Sequence, residues 1–375
     1  MRIGVVAGEA SGDLLGESFM RAVRSRYPDA CFEGIAGPRM MALGAQSYYP
    51  MEALAVRGYS EVLQALPRLL WIRYQLRQRF LRNPPDCFVG IDAPDFNLGL
   101  EKTLKQAGIP TLQLVAPTVW AWRADRLPKI RDAVTAILSI FPFEKPIFEQ
   151  AGIPLTYVGH PLVQRLPVPH GRAMLAAHQG TWVGLLPGSR RSELDFHGRL
   201  FLEVARRIHA RFPTVRFAVP LVNPVTRVQF QRWLAEPEFC TLPVQIFHED
   251  GARVLAASEV ALVASGTATL EAALLECPTV LTYRLSGLTA WLVRRKRVSS
   301  FVGLPNIIMG REVIPEILQE QATPERLSDE LAELLEDAGR REAMRQAFRE
   351  LRESLRADSE AGMLAGFEQV CFHAS

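Results

Sequence analysis

The chain has 375 residues, of which 48% are hydrophobic and 22% charged, with a formal net charge of +3 at pH 7. This is the composition of an ordinary globular protein with a large core and one or two domains. So small a net charge gives no reason to expect a nucleic-acid partner. The five cysteines are far apart and form no C-x-x-C pair, which argues against a disulfide framework or a structural zinc site.

Short apolar runs alternate with helical patterns along the whole chain. Strands are predicted at residues 3–7, 31–35, 87–91, 111–115, 136–140, 156–158, 183–186, 216–220, 244–247, 259–263 and 279–283. Most of these runs are continuous rather than alternating, as in parallel strands that are covered on both faces. The sequence therefore predicts an α/β protein built from doubly wound parallel sheets.

A stretch rich in Pro, Gly and His at residues 159–171 interrupts this pattern and indicates a linker between two domains. The predicted domains are 1–165 and 166–345, followed by a helical tail, 346–375. We expect the tail to pack back on the N-terminal domain or on a partner subunit. The chain begins with a strand that enters a glycine turn rather than with a signal peptide. Its apolar runs are much shorter than the roughly 20 residues that span a bilayer, so a cytoplasmic protein is expected.

The turn after the first strand reads GEASGDLLG (8–16). It has neither the G-x-G-x-x-G spacing of a dinucleotide site nor the G-K-[ST] of a P-loop, so no nicotinamide cofactor is expected. It places Glu9, Ser11 and Asp13 at the carboxyl end of a strand, where open α/β sheets bind ligands. A glycine turn with a serine N-cap explains the same residues without a ligand.

Two carboxylates follow the third predicted strand, in VGIDAPDFN (89–97). Asp92 ends the strand and is well placed to act as a general base toward a sugar hydroxyl. Asp95 follows a proline, so it is better explained as a capping residue of the next helix. His160, in the Gly-His-Pro of the linker, is either a ligand contact or part of a structural turn.

The second half contains two turns of the kind that bind anions. Gly188, Ser189 and Arg190 follow a strand and offer backbone approach, a hydroxyl donor and a guanidinium. Ser265, Gly266 and Thr267 join a buried strand to a helix, where free N–H groups and the helix dipole favour a diphosphate. Glu271 lies one turn further along that helix and could accept hydrogen bonds from a ribose. Simple helix capping is the alternative for this turn.

Two segments, 66–82 and 288–298, combine arginines with large apolar side chains. Helices of this kind lie on anionic bilayers, although a packed helix with a basic solvent face has the same composition. In the first segment Leu69, Trp71 and Ile72 are the candidate docking residues. Histidines, cysteines and carboxylates do not cluster at metal-ligand spacing, so no protein-bound metal and no cofactor are expected.

Several motifs together make the chain resemble bacterial lipid-A-disaccharide synthases over nearly its whole length. They are VAGEASGD (6–13), AGPRM (36–40), VGIDAPDFN (89–97), VWAWR (119–123), FPFEK (141–145), VGHP (158–161), LLPGSR (185–190), ASGTATLE (264–271) and LPN (304–306). The resemblance implies a GT-B fold, in which two Rossmann-like domains face each other across a cleft, and a metal-independent, inverting glycosyltransferase. It implies transfer of 2,3-diacylglucosamine from UDP to the 6-hydroxyl of 2,3-diacylglucosamine 1-phosphate.

By this resemblance Asp92 is the general base, and the 188–190 and 265–267 turns hold the UDP diphosphate, with Glu271 on the ribose. The residues expected to line the cleft are Glu9, Ser11, Asp13, His160 and Asn306. Both substrates carry acyl chains, so we expect peripheral association with the inner face of the cytoplasmic membrane. The sequence leaves the oligomeric state open, with a homodimer as one option.

Two other interpretations fit parts of the sequence. One is a UDP-sugar GT-B transferase that acts on a polyprenyl-linked acceptor, against which the GEASGD and IDAPDFN segments argue. The other is a noncatalytic protein that binds a nucleotide sugar or a lipid.

Overall fold

The computed structural model describes residues 1–54, 59–120, 124–166, 180–188, 190–221, 223–248, 251–264, 266–285 and 300–373. The predicted phosphate ligands Ser189 and Ser265 lie outside these residues. So do the end of the VWAWR motif (121–123), residues 167–171 of the predicted linker and the basic segment 288–298.

The elements follow one another as strand and helix for most of the chain. The strands are β1 (Arg2–Ala7), β2 (Cys31–Ile35), β3 (Gln46–Ser47), β4 (Cys87–Ile91), β5 (Thr111–Leu114), β6 (Ala136–Ser139), β7 (Leu155–Tyr157), β8 (Thr181–Leu186), β9 (Val215–Pro220), β10 (Val244–Phe247), β11 (Val260–Val263), β12 (Thr279–Tyr283) and β13 (Glu316–Leu318).

The α-helices are α1 (Ala10–Arg26), α2 (Pro38–Ala42), α3 (Tyr59–Arg82), α4 (Pro94–Gln106), α5 (Leu127–Ala133), α6 (Lys145–Gln150), α7 (Leu162–Arg165), α8 (Arg191–Arg211), α9 (Pro224–Leu234), α10 (Gly251–Ala257), α11 (Gly266–Leu274), α12 (Leu304–Met309), α13 (Pro324–Glu336), α14 (Ala338–Ser354) and α15 (Ser359–His373).

The first compact unit combines Met1–Pro161 with Leu355–Ser375. Its sheet is parallel throughout the described residues and has the order β3-β2-β1-β4-β5-β6-β7. The chain therefore moves outward from β1 to β3 and then returns to the other side of β1 as β4. The carboxyl ends of β1 and β4 form the topological switch point of this sheet.

The second unit is the continuous stretch Leu162–Ser354. Its sheet is also parallel, with the order β10-β9-β8-β11-β12-β13. This is the 3-2-1-4-5-6 order of the Rossmann fold, and its switch point lies between β8 and β11.

The fold agrees with the sequence-based prediction of doubly wound parallel sheets. Each predicted strand has a counterpart whose ends differ by no more than two residues. The strands that the sequence did not reveal are β3 and β13, which lie at sheet edges and have only two and three residues. Such short strands carry too few residues for a hydrophobic pattern.

The domain limits differ from the predicted 1–165, 166–345 and 346–375. Helix α7 belongs to the second unit, where it packs on α11 and its Val163 carbonyl accepts a hydrogen bond from Arg352 Nη1 at 3.2 Å. The second boundary lies after Ser354 because α14 is one uninterrupted helix whose Phe348 and Leu351 are buried.

The last helix, α15, completes the core of the first unit. Its Met363, Phe367 and Val370 are buried in one cluster with residues of α1, β1 and β4. The Phe367 ring meets the Phe19 ring edge-on at 5.7 Å. Gly366 allows α15 to lie close to β6, because a Cβ at this position would overlap Leu138.

Replacing Phe367 by Ala should lower the free energy of unfolding of the first unit by about 3–5 kcal/mol, because a fully buried ring leaves a cavity. Chemical denaturation followed by circular dichroism measures this loss. Gln369→Ala is the control, since Gln369 is exposed on the same helix. Equal stabilities of the two variants would contradict the role of α15 in the core.

Candidate active site

Four of the sequence motifs lie at the two topological switch points. In the first unit, Glu9 follows β1 and Asp92 follows β4, and these strands pair in register through Ala7 and Ile91. In the second unit, the 188–190 turn follows β8 and the 265–267 turn follows β11. There Leu186 pairs with Val263, and the Ala264 N–H donates to the Leu186 carbonyl at 2.9 Å. Each unit thus brings two separate motifs together at the carboxyl end of its sheet.

The backbone at Asp92 has an uncommon conformation that is held by several hydrogen bonds. Asp92 and Ala93 have φ values of 52° and 41°, in the left-handed region that residues with a side chain rarely occupy. The Asp92 N–H donates to the Leu114 carbonyl at 2.9 Å. Its carbonyl accepts from Asn97 Nδ2 and from Gln113 Nε2, both at 2.9 Å. The turn therefore presents the Asp92 side chain beyond the end of β4 on a fixed backbone.

Burial raises the pKa of the Asp92 carboxyl group, the adjacent Ala93 N–H lowers it, and the nearby charge of Glu9 raises it. The net pKa lies above that of an ordinary aspartate. A half-buried carboxylate of this kind is a stronger base than an exposed one and suits proton abstraction from a hydroxyl group.

The residues of the GEASGD turn have different environments. Glu9 is half-buried and Ser11 is exposed in the first turn of α1, so both are accessible at the sheet edge. Asp13 is buried, and its carboxylate accepts hydrogen bonds from the N–H groups of Arg39 (2.9 Å) and Met40 (3.1 Å). Asp13 therefore caps α2, the AGPRM helix, and its contact with a ligand stays a prediction.

In the second unit the turn after β8 depends on Gly188, which has a φ of 109°. A Cβ at this position would overlap Glu193, which is part of the capping arrangement of α8. Arg190 is the N-cap residue, and its guanidinium donates to Glu193 Oε1 at 3.3 Å. The Arg190 side chain is 58% exposed, so it can reach an incoming anion.

The turn after β11 leads directly into α11, which begins at Gly266. The first N–H groups of a helix have no acceptor within it, so this end provides donors and the positive end of the dipole. Thr267 is exposed at this end and Glu271 is half-buried one turn later. The roles of Thr267 toward an anion and of Glu271 toward a hydroxylated group beyond it stay predictions.

His197 lies near these turns and was missed by the sequence analysis. Its Nδ1 hydrogen-bonds the Glu193 carbonyl at 2.7 Å, and its Nε2 accepts from the Arg284 N–H at 2.9 Å. Burial lowers its pKa to about 4, so the ring is neutral at physiological pH. His197 thereby joins the first turn of α8 to the end of β12. A single histidine within a helix gives no sequence signal for such a role.

The aromatic motifs of the first unit form a buried cluster. His160 packs on Phe141 with ring centroids 5.2 Å apart, and burial lowers the pKa of His160 to about 4. Glu144, which the sequence did not single out, accepts from Trp120 Nε1 at 3.0 Å and from Ser139 Oγ. Burial raises the Glu144 pKa to about 7. The VWAWR and FPFEK motifs are thus joined by a buried carboxyl group.

The Asn306 side chain is fully buried and engaged at both ends, and its place at the acceptor site stays a prediction. Its Oδ1 accepts from the N–H groups of Val313 (2.7 Å) and Ile314 (2.9 Å). Its Nδ2 donates to the Ile314 carbonyl and to Glu316 Oε1, both at 2.8 Å. It therefore fixes the LPN helix, α12, to the approach of β13.

Helix α3 has an exposed apolar surface, but not the predicted one. Trp71 is 54% exposed, whereas Ile72 is 2% exposed and Leu69 is half-buried against the core. The prediction is wrong for Ile72 because it lies on the opposite side of the helix from the exposed face. That face consists of Leu66, Leu70, Trp71 and Tyr74.

Two further findings concern the described part of the chain. It contains no helix that is both long and apolar enough to cross a membrane. It also contains no cluster of three or more His, Cys, Asp or Glu side chains arranged to hold a metal ion.

Solved structures share this fold at low sequence identity. A putative UDP-N-acetylglucosamine 2-epimerase from Listeria monocytogenes has a TM-score of 0.67 and 12% identity, covering 100% of this chain and 97% of that one. The calicheamicin glycosyltransferase CalG4 has a TM-score of 0.57 and 16% identity, covering 100% and 99%. The two Rossmann-like units and these neighbours define the GT-B class of fold.

The sequence comparisons identify the family within that class. The model of the family described as lipid-A-disaccharide synthetase matches residues 3–365. The lipid-A-disaccharide synthase of Chromobacterium violaceum is 48% identical over 364 residues, covering 96% of this chain and 94% of the relative. That of Pseudomonas putida KT2440 is 45% identical over 361 residues, covering 95% of each chain.

The chain belongs to the lipid-A-disaccharide synthase family and is a glycosyltransferase of lipid A biosynthesis. The predicted family, the predicted fold class and the assignment as a hexosyltransferase are thereby confirmed. The two alternatives, a transferase for a polyprenyl-linked acceptor and a noncatalytic binding protein, are not favoured.

Replacing Asn306 by Ala should destabilise the second unit by about 3–5 kcal/mol, because four protein groups each lose a hydrogen bond to the Asn306 side chain. Thermal unfolding measures this effect. Asn223→Ala is the matched control, since the Asn223 side chain makes a single capping bond to the Val225 N–H and should cost about 1 kcal/mol. An Asn306→Ala variant that keeps full stability and loses activity would instead indicate a ligand contact.

Proposed function

We propose that this enzyme transfers 2,3-diacylglucosamine from UDP to the 6-hydroxyl of 2,3-diacylglucosamine 1-phosphate, with inversion at the transferred carbon. The products are the lipid A disaccharide 1-phosphate and UDP. The observation that carries the proposal is Asp92, a carboxylate with a raised pKa on a hydrogen-bonded, left-handed turn at the switch point of the first sheet.

In the proposed reaction the Asp92 carboxylate removes the proton of the acceptor 6-hydroxyl. The hydroxyl oxygen then forms a bond to C1 of the donor sugar, and the bond from C1 to the UDP oxygen breaks. UDP leaves with the electron pair of that bond, and Asp92 keeps the proton until product release. Inversion follows because the nucleophile attacks the face opposite the leaving group.

The second unit is proposed to bind UDP. Negative charge develops on the diphosphate as it leaves, and the N-terminal N–H groups of α11 and the turn at Gly188 offer donors for it. Arg190 would exchange its Glu193 partner for a phosphate oxygen. Glu271, one turn into α11, would accept hydrogen bonds from the ribose hydroxyls.

The lipid substrates require contact with a membrane surface, for which we propose the exposed face of α3. Its apolar residues Leu66, Leu70 and Tyr74 recur every four positions, and Trp71 lies beside them. Arg77 is exposed one turn after Tyr74 on the same helix and can meet anionic headgroups. In this proposal the enzyme works at the inner face of the cytoplasmic membrane.

Asp92→Asn should lower kcat by roughly 10²–10⁴-fold, because the amide cannot accept the hydroxyl proton. The affinity for UDP should stay within about twofold, because the proposed UDP residues belong to the other unit. The assay incubates the enzyme with the two acylated glucosamine substrates and measures the disaccharide and UDP by mass spectrometry.

Asp95→Asn is the matched control, because Asp95 is 80% exposed and pairs with Arg126. It should retain nearly full activity.

The kcat/KM of the wild type should fall as the pH is lowered, because only ionised Asp92 acts as base. This fall should begin at a higher pH than for an enzyme whose base is an ordinary aspartate, because the pKa of Asp92 is raised. Normal transfer by Asp92→Asn would refute the base assignment.

Replacing Leu70, Trp71 and Tyr74 together by Ser should weaken binding to anionic lipid vesicles at least tenfold, as measured by co-sedimentation. UDP binding should be unchanged. Met41→Ser is the control, because Met41 is also exposed in the first unit but lies outside α3. If the triple variant binds vesicles as tightly as the wild type, α3 is not the docking helix.

A further inference from the structure

Directly beneath Asp92 lies a buried group of polar side chains that the proposed reaction does not use. Asn97 and Glu101 project from α4 and Gln113 from β5, and all are fully buried. Polar groups are normally buried only with hydrogen-bond partners. The arrangement of donors and acceptors in this group therefore carries information about its protonation.

The orientation of both amides is fixed by the carbonyl groups around their nitrogens. Gln113 Nε2 lies 2.9 Å from the Asp92 carbonyl, 3.4 Å from that of Leu114 and 3.3 Å from that of Val115. Asn97 Nδ2 lies 2.9 Å from the Asp92 carbonyl and 3.3 Å from that of Val6. Carbonyl oxygens require donors, so these atoms are the nitrogens. Gln113 Oε1 and Asn97 Oδ1 then point elsewhere, and no hydrogen-bond donor reaches them among the described residues.

The Glu101 carboxyl group is equally without a partner among the described residues, at both of its oxygens. It lies next to Gln113, on the side of Gly90 where a side chain would be attached. A Cβ at Gly90 would overlap Glu101 Oε1 and would lie 2.7 Å from Gln113 Oε1. Both oxygens thus border the space that the missing side chain of Gly90 leaves open. An ionised carboxylate there would repel the Gln113 amide oxygen, whereas a neutral carboxyl group has an O–H that it can donate to this oxygen.

We propose that Glu101 is a positioning residue for Asp92: its neutral carboxyl group donates its O–H to Gln113 Oε1 and thereby fixes the amide that holds the Asp92 carbonyl. This inference rests on the proposed role of Asp92 as the general base. Glu101 does not touch the reacting atoms and acts through Gln113.

The electrostatic environment agrees with a neutral Glu101. Burial raises its pKa to about 8. The charged side chains on the surrounding helices are engaged elsewhere: Lys102 pairs with Asp132 at 3.1 Å, and Lys105 donates to the Arg131 and Val134 carbonyls. The Arg73 guanidinium of α3 lies against Gly99 of α4. Burial is the cause of the shift, so nothing in its surroundings offsets the cost of ionising Glu101.

The consequence for catalysis follows from the strained turn. Two consecutive residues, Asp92 and Ala93, are held in the left-handed region, which residues with a side chain rarely adopt and which the surrounding contacts must maintain. Without Glu101, Gln113 would have an unpaired acceptor and could turn away from the Asp92 carbonyl. The Asp92 carboxylate would then occupy several positions, and displacements near 1 Å cost about 100-fold in rate.

The test compares Glu101→Leu with Glu101→Gln. The leucine lacks a donor, so kcat should fall about 10–100-fold while the KM for the UDP-sugar stays within about twofold. The glutamine carries an amide donor of nearly the same shape, so kcat should stay within about threefold of the wild type. Lys102→Gln, the next residue on α4 and an exposed position, is the control for helix perturbation.

Two measurements on the folded protein are independent of turnover. Infrared difference spectra should show a neutral carboxyl band in the wild type that is absent in Glu101→Gln. The raised pKa also makes the wild type lose stability as pH rises from about 4.5 to about 8, because the unfolded chain ionises Glu101 first. Glu101→Gln should lack this loss. The unfolding temperature of the variant minus that of the wild type should therefore increase as the pH rises over this range.

The inference is overturned if Glu101→Leu has wild-type kcat, or if Glu101→Gln is as slow as Glu101→Leu. The absence of a neutral carboxyl band would overturn it even if Glu101→Leu does not fold. An active Asp92→Asn enzyme would remove the base assignment and the positioning role with it, while the band would still report the protonation of Glu101. A slow Asp92→Asn with a normal Glu101→Leu would refute only the inference.

Discussion

Parallel hydrogen bonding between β1 and β4, and between β8 and β11, brings together turns that are far apart in the sequence. Because these strands run in the same direction, Glu9 and Asp92 meet at the carboxyl end of one sheet, and β8 and β11 end side by side in the other. A parallel pair cannot be joined by a tight turn, so each motif is followed by a helix. That helix supplies the N-terminal N–H groups beside the turn. The order of strands in each sheet therefore determines which turns, and so which polar side chains, come together.

Burial shifts four titratable groups of the two units toward their neutral forms. His160 and His197 have pKa values lowered to about 4, and those of Glu144 and Glu101 are raised to about 7 and about 8, in each case mainly by burial. Neutral groups form hydrogen bonds of fixed direction without adding charge close to a reacting centre. The accessible side chains Asp92, Glu9 and Arg190 lie at the sheet edges instead. The fold thus separates groups that position from groups that carry charge.

The sequence predicted the strands and the motif positions because apolar runs and glycine turns are local patterns. It did not predict what each polar residue contacts. Asp13 looks like a ligand residue but caps α2, and Asn306 looks like a site residue but is enclosed between α12 and β13. Ile72 and Trp71 are adjacent in sequence but differ in exposure because of the helix phase at α3. The role of Gln113 depends on the neighbour of β4 in the sheet, which composition alone does not reveal.

The return of α15 to the first unit has a consequence for synthesis on the ribosome. The second unit is one uninterrupted stretch, whereas the first lacks Met363 and Phe367 until the second has been synthesised. At ~5–20 residues per second, translation of the second unit takes roughly 10–40 s. During that time the apolar surface around Phe19 is uncovered and open to chaperones or to aggregation. The unit that is made first is therefore the last to be completed.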